Sequence, residues 1–300
     1  MGKAVKAPLV TVVLPVYNGG VTLKTAIDSV LAQTFCDFEI VLINDASTDD
    51  SLAIATRFSD TRLHIINDTV NRGLAYRLNQ GIDLAQGRYI ARMDQDDICF
   101  PERLAKQFEF LETHPEIDLL GCRVIVFRNS HDIVGLTPFC GTHEEICAYP
   151  WRGLYLAAPT WMGRVEWFRR HRYRIPEAIH ADDQELLLRA YPDSRFACME
   201  EVLLAYRKES FRSRKTWRAR RALLKAQLSH FIRRRQWSNV SLSLGFALSK
   251  IVVDLVYIVA GNRGPVFKQI SESIPDDLAK EFHKLVYKKE SHDETRDRPC

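Results

Sequence analysis

The sequence lacks both a long apolar segment at its start and the paired cysteines and histidines of a zinc site. The opening stretch, MGKAVKAPLV, is too polar for a signal peptide, so we expect a cytoplasmic protein. The seven cysteines are scattered and none forms a CxxC pair, which argues against a structural zinc centre. With 46% apolar and 27% charged residues, the composition excludes wholesale disorder and predicts a folded chain.

The first third of the chain alternates between strand-like and helix-like runs. The strand-like runs are apolar and rich in β-branched residues, and they span Leu9–Asn18, Phe38–Asp45, Arg62–Asp68 and Arg88–Asp94. The helix-like runs between them cover Thr22–Gln33, Asp49–Phe58 and Leu74–Ala85. Near-continuous apolar strands that alternate with helices predict an α/β fold with a mainly parallel sheet covered on both faces.

Each predicted strand ends in polar residues, and ligands of open α/β sheets bind at the carboxyl ends of the strands. These ends read Tyr17-Asn18, Asn44-Asp45, Asn67-Asp68 and Asp94-Gln95-Asp96. Asn and Asp also favour turns and helix caps, which explains any one of the four ends taken alone. That alternative does not explain why a further acid, Asp97, follows Asp96 directly.

Carboxylates as close as Asp94, Asp96 and Asp97 repel one another unless a cation lies among them. Mg²⁺ and Mn²⁺ prefer oxygen ligands, and Mg²⁺ often takes one or two protein carboxylates while substrate phosphates complete its shell. The Asp-Gln-Asp pattern therefore predicts a site for a metal ion and a phosphate. The alternative is an exposed acidic turn that caps a helix starting near Pro101.

Three longer blocks resemble the family-2 inverting glycosyltransferases with the GT-A fold. They are VTVVLPVYNGGVTLKTAIDSVLAQTFCDFEIVLINDASTDDS, NRGLAYRLNQGIDLAQGRYIARMDQDDICFPERLAKQFEFLE and APTWMGRVEWFRRHRYRIPEAIHADDQELLLRAYPDSRFACMEEVLLAYR. They follow the family's order and spacing. The resemblance implies a GT-A catalytic domain over residues 1–208, of the bacterial cell-surface polysaccharide type. The QxxRW motif of processive synthases is absent, which favours an enzyme that adds one sugar.

The resemblance also implies roles for single residues. It puts Pro15, Tyr17, Asn18, Asp45 and Ser47 at the base and ribose of a nucleoside diphosphate, which we expect to be UDP. Asp96 matches the metal ligand of the DXD motif, and Asp94 matches a residue that contacts the ribose or the metal. The implied cofactor is a divalent metal ion, Mn²⁺ or Mg²⁺.

A second acidic pair, in HADDQELLLRA, matches the family's catalytic base. Asp183 takes the base position, and Asp182 stands where the family usually has Glu. The implied reaction is inverting transfer of a sugar to a hydroxyl of a glycan or lipid-linked glycan. Read without the resemblance, the pair caps the amphipathic helix that follows it.

Residues 209–288 read as a basic and apolar helical extension. Its cations have no acid among them from Phe211 to Trp237, and they are Arg212, Arg214, Lys215, Arg218, Arg220, Arg221, Lys225, Arg233, Arg234 and Arg235. They predict association with an anionic membrane surface, with a solvated basic face or a nucleic-acid patch as alternatives. The glycosyltransferase reading makes nucleic acid the weaker alternative.

An apolar segment, Val240–Gly261, follows the basic stretch. It is long enough to span a bilayer, but Lys250 and Asp254 near its middle favour a membrane-associated or packed helix. Residues 289–300 are polar and are predicted to form a disordered tail.

Two other function classes compete with the glycosyltransferase reading. A non-catalytic nucleotide- or membrane-binding scaffold would have the same fold, but it would not need both acidic pairs. A nucleotidyltransferase would need an Arg/Lys-rich Gly loop after the first strand, and PVYNGGVTLK lacks that loop.

Overall fold

The computed structural model describes residues 7–129, 132–175, 180–208, 213–259 and 274–290, which form a mixed α/β fold. Its strands are β1 (Val10–Val16), β2 (Phe38–Asp45), β3 (Leu63–Asp68), β4 (Tyr89–Arg92), β5 (Ile98–Cys99), β6 (Leu119–Asn129), β7 (Asp132–Leu136), β8 (Met162–Arg164) and β9 (Phe196–Arg207). Its helices are α1 (Gly20–Leu31), α2 (Ser51–Ala55), α3 (Leu74–Leu84), α4 (Arg103–Thr113), α5 (His143–Ile146), α6 (Val165–Arg170), α7 (Asp182–Ala190), α8 (Ser213–Arg233), α9 (Trp237–Val259) and α10 (Asp276–Glu290).

The strands join in one sheet with the order β3-β2-β1-β4-β8-β6-β9-β5, and β7 pairs with the edge of β6. The first four strands are mutually parallel, and β8 runs antiparallel to its two neighbours β4 and β6. The expectation of a mainly parallel sheet flanked by helices is confirmed.

The parallel half of the sheet is buried on both faces. Every residue of β1 and β2 is inaccessible to solvent, as expected for apolar strands that lie between helical layers. The predicted strand Phe38–Asp45 is correct at both ends. The fourth strand is three residues shorter than the predicted run Arg88–Asp94. It begins at Tyr89 and stops at Arg92, where the chain turns through the acidic residues.

Strand register brings the polar ends together at one edge of the sheet. Val16, the last residue of β1, pairs with Asn44 near the end of β2, and Asp45 pairs with Asp68 at the end of β3. On the other side of β1, Val13 pairs with Arg92, the last residue of β4. The loops that follow these strands therefore start side by side.

The basic extension forms two helices that are joined by a tight turn. The predicted basic helix ends at Arg233, and Arg235 adopts a left-handed conformation with φ of 56°. The Gln236 N–H donates to the Phe231 carbonyl at 2.9 Å and the Arg235 N–H donates to Ile232 at 3.0 Å, the pattern of a Schellman cap. Among the described residues, no helix combines the length and the apolar character needed to cross a membrane.

The C-terminal helices pack on the sheet domain. Phe231 of α8 and Phe282 of α10 are fully buried, and the Phe282 ring lies 5.1 Å from that of Phe127 in β6. The Gln227 side chain donates to the Pro150 carbonyl at 3.1 Å. Helix α10 extends to Glu290, past the predicted start of the tail at 289, and residues 291–300 lie outside the described residues.

Two helical glycines make a matched test of packing between helix and sheet. In Gly81→Ala, the new Cβ would clash with the Val13 side chain, so we expect a loss of about 1 kcal/mol or more despite the better helix propensity of Ala. In Gly245→Ala, the new Cβ meets nothing within 4 Å, so we expect a gain of roughly 0.5–1 kcal/mol. Urea denaturation measures both, and a shift of the same sign in the two variants would contradict this packing.

Candidate active site

Asp45, at the end of β2, is the centre of a buried ionic network. Its carboxylate accepts hydrogen bonds from the backbone N–H groups of Arg72 and Gly73, each at 2.8 Å, and from Arg77 Nε at 2.6 Å. Gly73 has a φ of 87°, which permits this close backbone approach. Arg77 is fully buried and also pairs with Asp68 at 2.6 Å. The network fixes the end of β2 against the start of α3.

The loops after β1, β2 and β4 bind one another through side-chain hydrogen bonds. The Asn18 N–H donates to Ser47 Oγ at 3.0 Å, and Asn18 Oδ1 accepts from the Thr48 N–H at 2.8 Å. Gln95, inside the acidic turn, exchanges two hydrogen bonds with the Tyr17 backbone, at 2.7 and 3.0 Å. Tyr17, which is predicted to bind the nucleotide, is therefore hydrogen-bonded directly to the Asp-Gln-Asp turn.

Two of the predicted nucleotide contacts differ in how accessible they are. Tyr17 is 47% exposed, so its ring is open to a ligand. Pro15 is buried within β1, just before the loop that carries Tyr17 and Asn18. Their contacts with a nucleotide stay predictions.

The acidic turn is anchored to β9 at its far end. Asp97 is buried, and its Oδ1 accepts from the Arg207 N–H at 2.8 Å while Arg207 Nε donates to the Asp96 carbonyl at 3.0 Å. Asp97 Oδ2 is buried without a hydrogen-bond partner. Burial and the nearby carboxylates of Asp94 and Asp96 raise the pKa of Asp97 well above its usual value. Asp97 does not cap α4, which begins after Glu102.

Arg92 connects the acidic turn to the second acidic pair. Its guanidinium is buried, and it contacts Asp94 Oδ1 at 3.3 Å through Nη2 and Asp183 Oδ1 through Nη1. The Tyr173 hydroxyl lies 3.3 Å from the same Nη1, and the Trp161 ring lies under the guanidinium at 5.8 Å. One cation therefore brings together two carboxylates that are far apart in the sequence.

Asp182 and Asp183 form the first turn of α7, while the capping position belongs to Ala181, which makes no side-chain hydrogen bond there. Two acids in this turn suit the helix dipole. Burial raises the pKa of Asp183, the Asp182 charge adds to that rise, and the Arg92 charge opposes it. Burial also raises the pKa of Asp182. Asp183 therefore has a raised pKa and is in direct contact with a cation.

The carboxylates of the turn fit a metal ion that is shared with a diphosphate. Over the described ranges, no cluster of three or more His, Cys, Asp and Glu side chains is arranged to hold a metal. A Mg²⁺ bound through one or two carboxylates and substrate phosphates needs no such cluster. Asp94 already contacts Arg92, so Asp96 is the better placed of the two predicted ligands.

Sequence reasoning missed three arginines that connect the parts of the site: Arg77 on α3, Arg92 at the end of β4 and Arg207 at the end of β9. A signal existed for Arg92, because it lies in the apolar run YIARM and a buried cation needs an anionic partner. Two tryptophans contribute to packing: Trp161 is fully buried, and Trp151 packs between Tyr149 and Phe246.

A family model described as "Glycosyl transferase family 2" matches residues 11–172. The chain belongs to this family. The matched residues include Asp45 at the end of β2 and the whole Asp-Gln-Asp turn.

Three relatives agree with this assignment. The chain is 41% identical over 123 residues to "Putative glycosyltransferase EpsE" of Bacillus subtilis, which covers 40% of this chain and 44% of that protein. It is 30% identical over 206 residues to "Uncharacterized glycosyltransferase MJ1057" of Methanocaldococcus jannaschii, covering 67% and 71%. It is 34% identical over 105 residues to "UDP-Glc:alpha-D-GlcNAc-diphosphoundecaprenol beta-1,3-glucosyltransferase WfaP" of Escherichia coli, covering 35% and 42%. The chain thus spans less than half of EpsE and of WfaP.

Two solved structures share the fold. Residues 1–349 of TarS from S. aureus in complex with UDP align with a TM-score of 0.56 and 19% identity, over 73% of this chain and 65% of that one. The mannosyltransferase PcManGT from Pyrobaculum calidifontis in complex with GDP-Man and Mn²⁺ aligns with a TM-score of 0.57 and 17% identity, over 96% and 89%. The likeness extends the GT-A assignment to the whole central sheet.

Asp97 offers a test of how the acidic turn is built. Asp97→Asn keeps an acceptor for the Arg207 N–H and matches the neutral acid that the raised pKa favours, so we expect a stability change below about 1 kcal/mol at pH 7. Asp97→Ala loses the hydrogen bond and leaves a void, so we expect a loss of roughly 2–3 kcal/mol. Thermal unfolding without added metal measures both. Equal losses in the two variants would mean that the turn needs the ionised carboxylate.

Proposed function

We propose that this protein transfers one sugar from a UDP-sugar to a hydroxyl of a glycan or lipid-linked glycan, with inversion at the anomeric carbon. The observation that carries the proposal is Arg92, whose guanidinium contacts both Asp94 of the acidic turn and Asp183 of α7. Two carboxylates held by one cation suit a reaction with a charged leaving group and a nucleophile that must lose a proton.

Support for the donor comes from the comparisons. TarS was crystallised with UDP, and the name of WfaP gives UDP-Glc as its donor and a diphosphoundecaprenol-linked sugar as its acceptor. A lipid-linked acceptor would put this protein in the cytoplasm at the inner face of the cell membrane. The name of PcManGT adds Mn²⁺, which supports a divalent ion in this family's fold.

Asp183 acts as the general base in this proposal. It removes the proton from the acceptor hydroxyl while that oxygen attacks the anomeric carbon, and the bond from that carbon to the diphosphate oxygen breaks. The electron pair of the broken bond leaves with the diphosphate, so one in-line displacement inverts the carbon. General base catalysis of this kind contributes roughly 10²–10⁴-fold to the rate.

The other site residues bind the donor or change the pKa of the base. The nucleotide side is lined by Tyr17, Asn18, Asp45 and Ser47. The negative charge of Asp182 raises the pKa of Asp183. Asp96 and Asp94 would hold a divalent ion, which would supply positive charge to offset that of the leaving diphosphate. The Arg92 charge opposes the rise in the pKa of Asp183 that burial causes.

Replacing the base tests the proposal. In Asp183→Asn, we expect the release of UDP from a panel of UDP-sugars with Mn²⁺ and acceptor to slow by about 10²–10⁴-fold, because the amide accepts no proton. UDP affinity by calorimetry should not change, and Glu166→Gln, an exposed acid on α6, serves as the control. NMR of the product should give the inverted anomer.

Two outcomes contradict this assignment. Turnover close to the wild type in Asp183→Asn would remove Asp183 as the base. Tight UDP binding without turnover of any UDP-sugar by the wild type would support the non-catalytic scaffold.

The pH dependence of kcat/KM tests the role of Arg92. Since burial raises the pKa of Asp183, activity should fall on acidification at a pH above the ordinary value of about 3.9 for Asp. In Arg92→Lys, the amine cannot contact both Asp94 and Asp183 in the same geometry, so the pKa of Asp183 rises and the acid limb moves to higher pH. The matched control is Arg189→Lys, whose native guanidinium pairs with Glu185 on the same helix. A uniform loss of rate at every pH in Arg92→Lys would mean that Arg92 acts on structure alone.

A further inference from the structure

The outward face of α9 forms an exposed apolar stripe. Trp237, Leu244, Leu248, Val252 and Val256 follow one another at the spacing of a single helix face, and all are solvent-exposed. At 1.5 Å per residue the stripe is about 28 Å long. Apolar surface of this extent on a folded chain marks an interaction site.

The stripe is not needed for the core, because the opposite face of α9 already packs inward. Ser243 is buried, and the Phe246 ring makes an edge contact with Trp151 at 5.6 Å between centroids. The α9 sequence has charged residues at positions 250 and 254, and the helical period places neither position on the face of Leu248. The Lys250 ammonium lies 5.1 Å from the Phe246 ring. The outward arc therefore carries no charge.

Basic residues accompany the stripe on the neighbouring helix and at the turn. The exposed cations are Arg218, Arg221 and Lys225 on α8 and Arg233, Arg234 and Arg235 at the start of the turn into Trp237. The sequence contains no acid between Glu209 and Asp254. Arg220 donates to the Lys250 carbonyl at 3.3 Å, which joins α8 to α9 along their length.

We propose that the outer face of α9, with the exposed cations of α8 and the turn, docks on an anionic lipid bilayer surface. The uncharged arc can lie at the boundary between headgroups and acyl chains, with the Trp237 ring at the polar edge of that boundary. The cations can pair with lipid phosphates. A second copy of this chain fits this face less well than a bilayer does, because self-association through the face would bring like charges together. The inference rests on the lipid-linked acceptor of the proposed function, since docking would hold the active site beside that acceptor.

The test is sedimentation of the full chain with lipid vesicles, without donor. Vesicles contain phosphatidylcholine with phosphatidylglycerol, or phosphatidylcholine alone. We expect binding to the anionic vesicles that weakens strongly with added salt and falls sharply on neutral ones. The Trp237 fluorescence should be quenched by brominated lipid, and Trp237→Phe should remove most of that quenching.

Two sets of variants separate the charged from the apolar contribution. The triple variant Arg218→Gln, Arg221→Gln and Lys225→Gln should bind the anionic vesicles about a hundredfold more weakly, at roughly fivefold per cation. The double variant Leu248→Gln and Val252→Gln should bind about tenfold more weakly or worse. The matched controls replace exposed residues elsewhere and should bind as the wild type does: Leu84→Gln for the apolar set, and Lys24→Gln with Arg57→Gln and Arg170→Gln for the charged set.

The inference is overturned if the wild type stays in solution with anionic vesicles, or if either set of variants binds as the wild type does. It is also overturned if the wild type is a dimer that Leu248→Gln with Val252→Gln converts to a monomer while vesicle binding persists. UDP affinity, measured on the same proteins, separates the two proposals. Vesicle binding without UDP binding would refute the proposed function alone, and UDP binding without vesicle binding would refute the docking face alone.

Discussion

The buried guanidinium of Arg92 is the contact on which the rest of the site depends. A cation without solvent is stable only among anions, and Arg92 finds them in Asp94 and Asp183. Each of these carboxylates is partly buried, and the charges of the acidic turn repel one another. The arginine thus holds the acidic turn and the first turn of α7 against each other.

The parallel sheet supplies the frame for that contact. Aligned strand ends bring three loops to one edge, and short polar side chains such as Ser47 and Gln95 then lock the loops together. Asp45 and Arg77 form a buried ion pair that fixes the end of β2 against the start of α3. Arg92 makes the corresponding contacts between the acidic turn and α7. Ion pairs of buried arginines therefore hold both sides of this edge of the sheet.

Much of this organisation was predictable from the sequence, and the reasons are local. The β-branched runs and helical spacings of the first third predicted β1 to β4 and the helices between them, because burial on both faces leaves a continuous apolar signal. The carboxylate spacing drew attention to the acidic turn, and the resemblance led to Asp183. Long-range pairings gave no such signal: the partners Arg92 with Asp183 and Asp97 with Arg207 are set by tertiary packing. The basic stretch and the apolar segment were predicted as separate helices, but the position of the turn between α8 and α9 was not. Arg235 takes a left-handed conformation there, which glycine or asparagine usually adopts.

Calorimetric titration of the full chain with UDP, GDP, dTDP and CDP, with and without Mn²⁺, is the most direct test of whether the acidic turn belongs to a metal-dependent UDP site. It needs neither the acceptor nor the right sugar. The Asp96→Asn variant is the comparison, since it removes the charge of the proposed metal ligand and keeps the hydrogen bond from Arg207 Nε to the Asp96 carbonyl. The account predicts a preference for UDP that depends on Mn²⁺ and disappears in Asp96→Asn. Binding of all four nucleotides with equal affinity, unchanged without Mn²⁺ and unchanged in the variant, would contradict it.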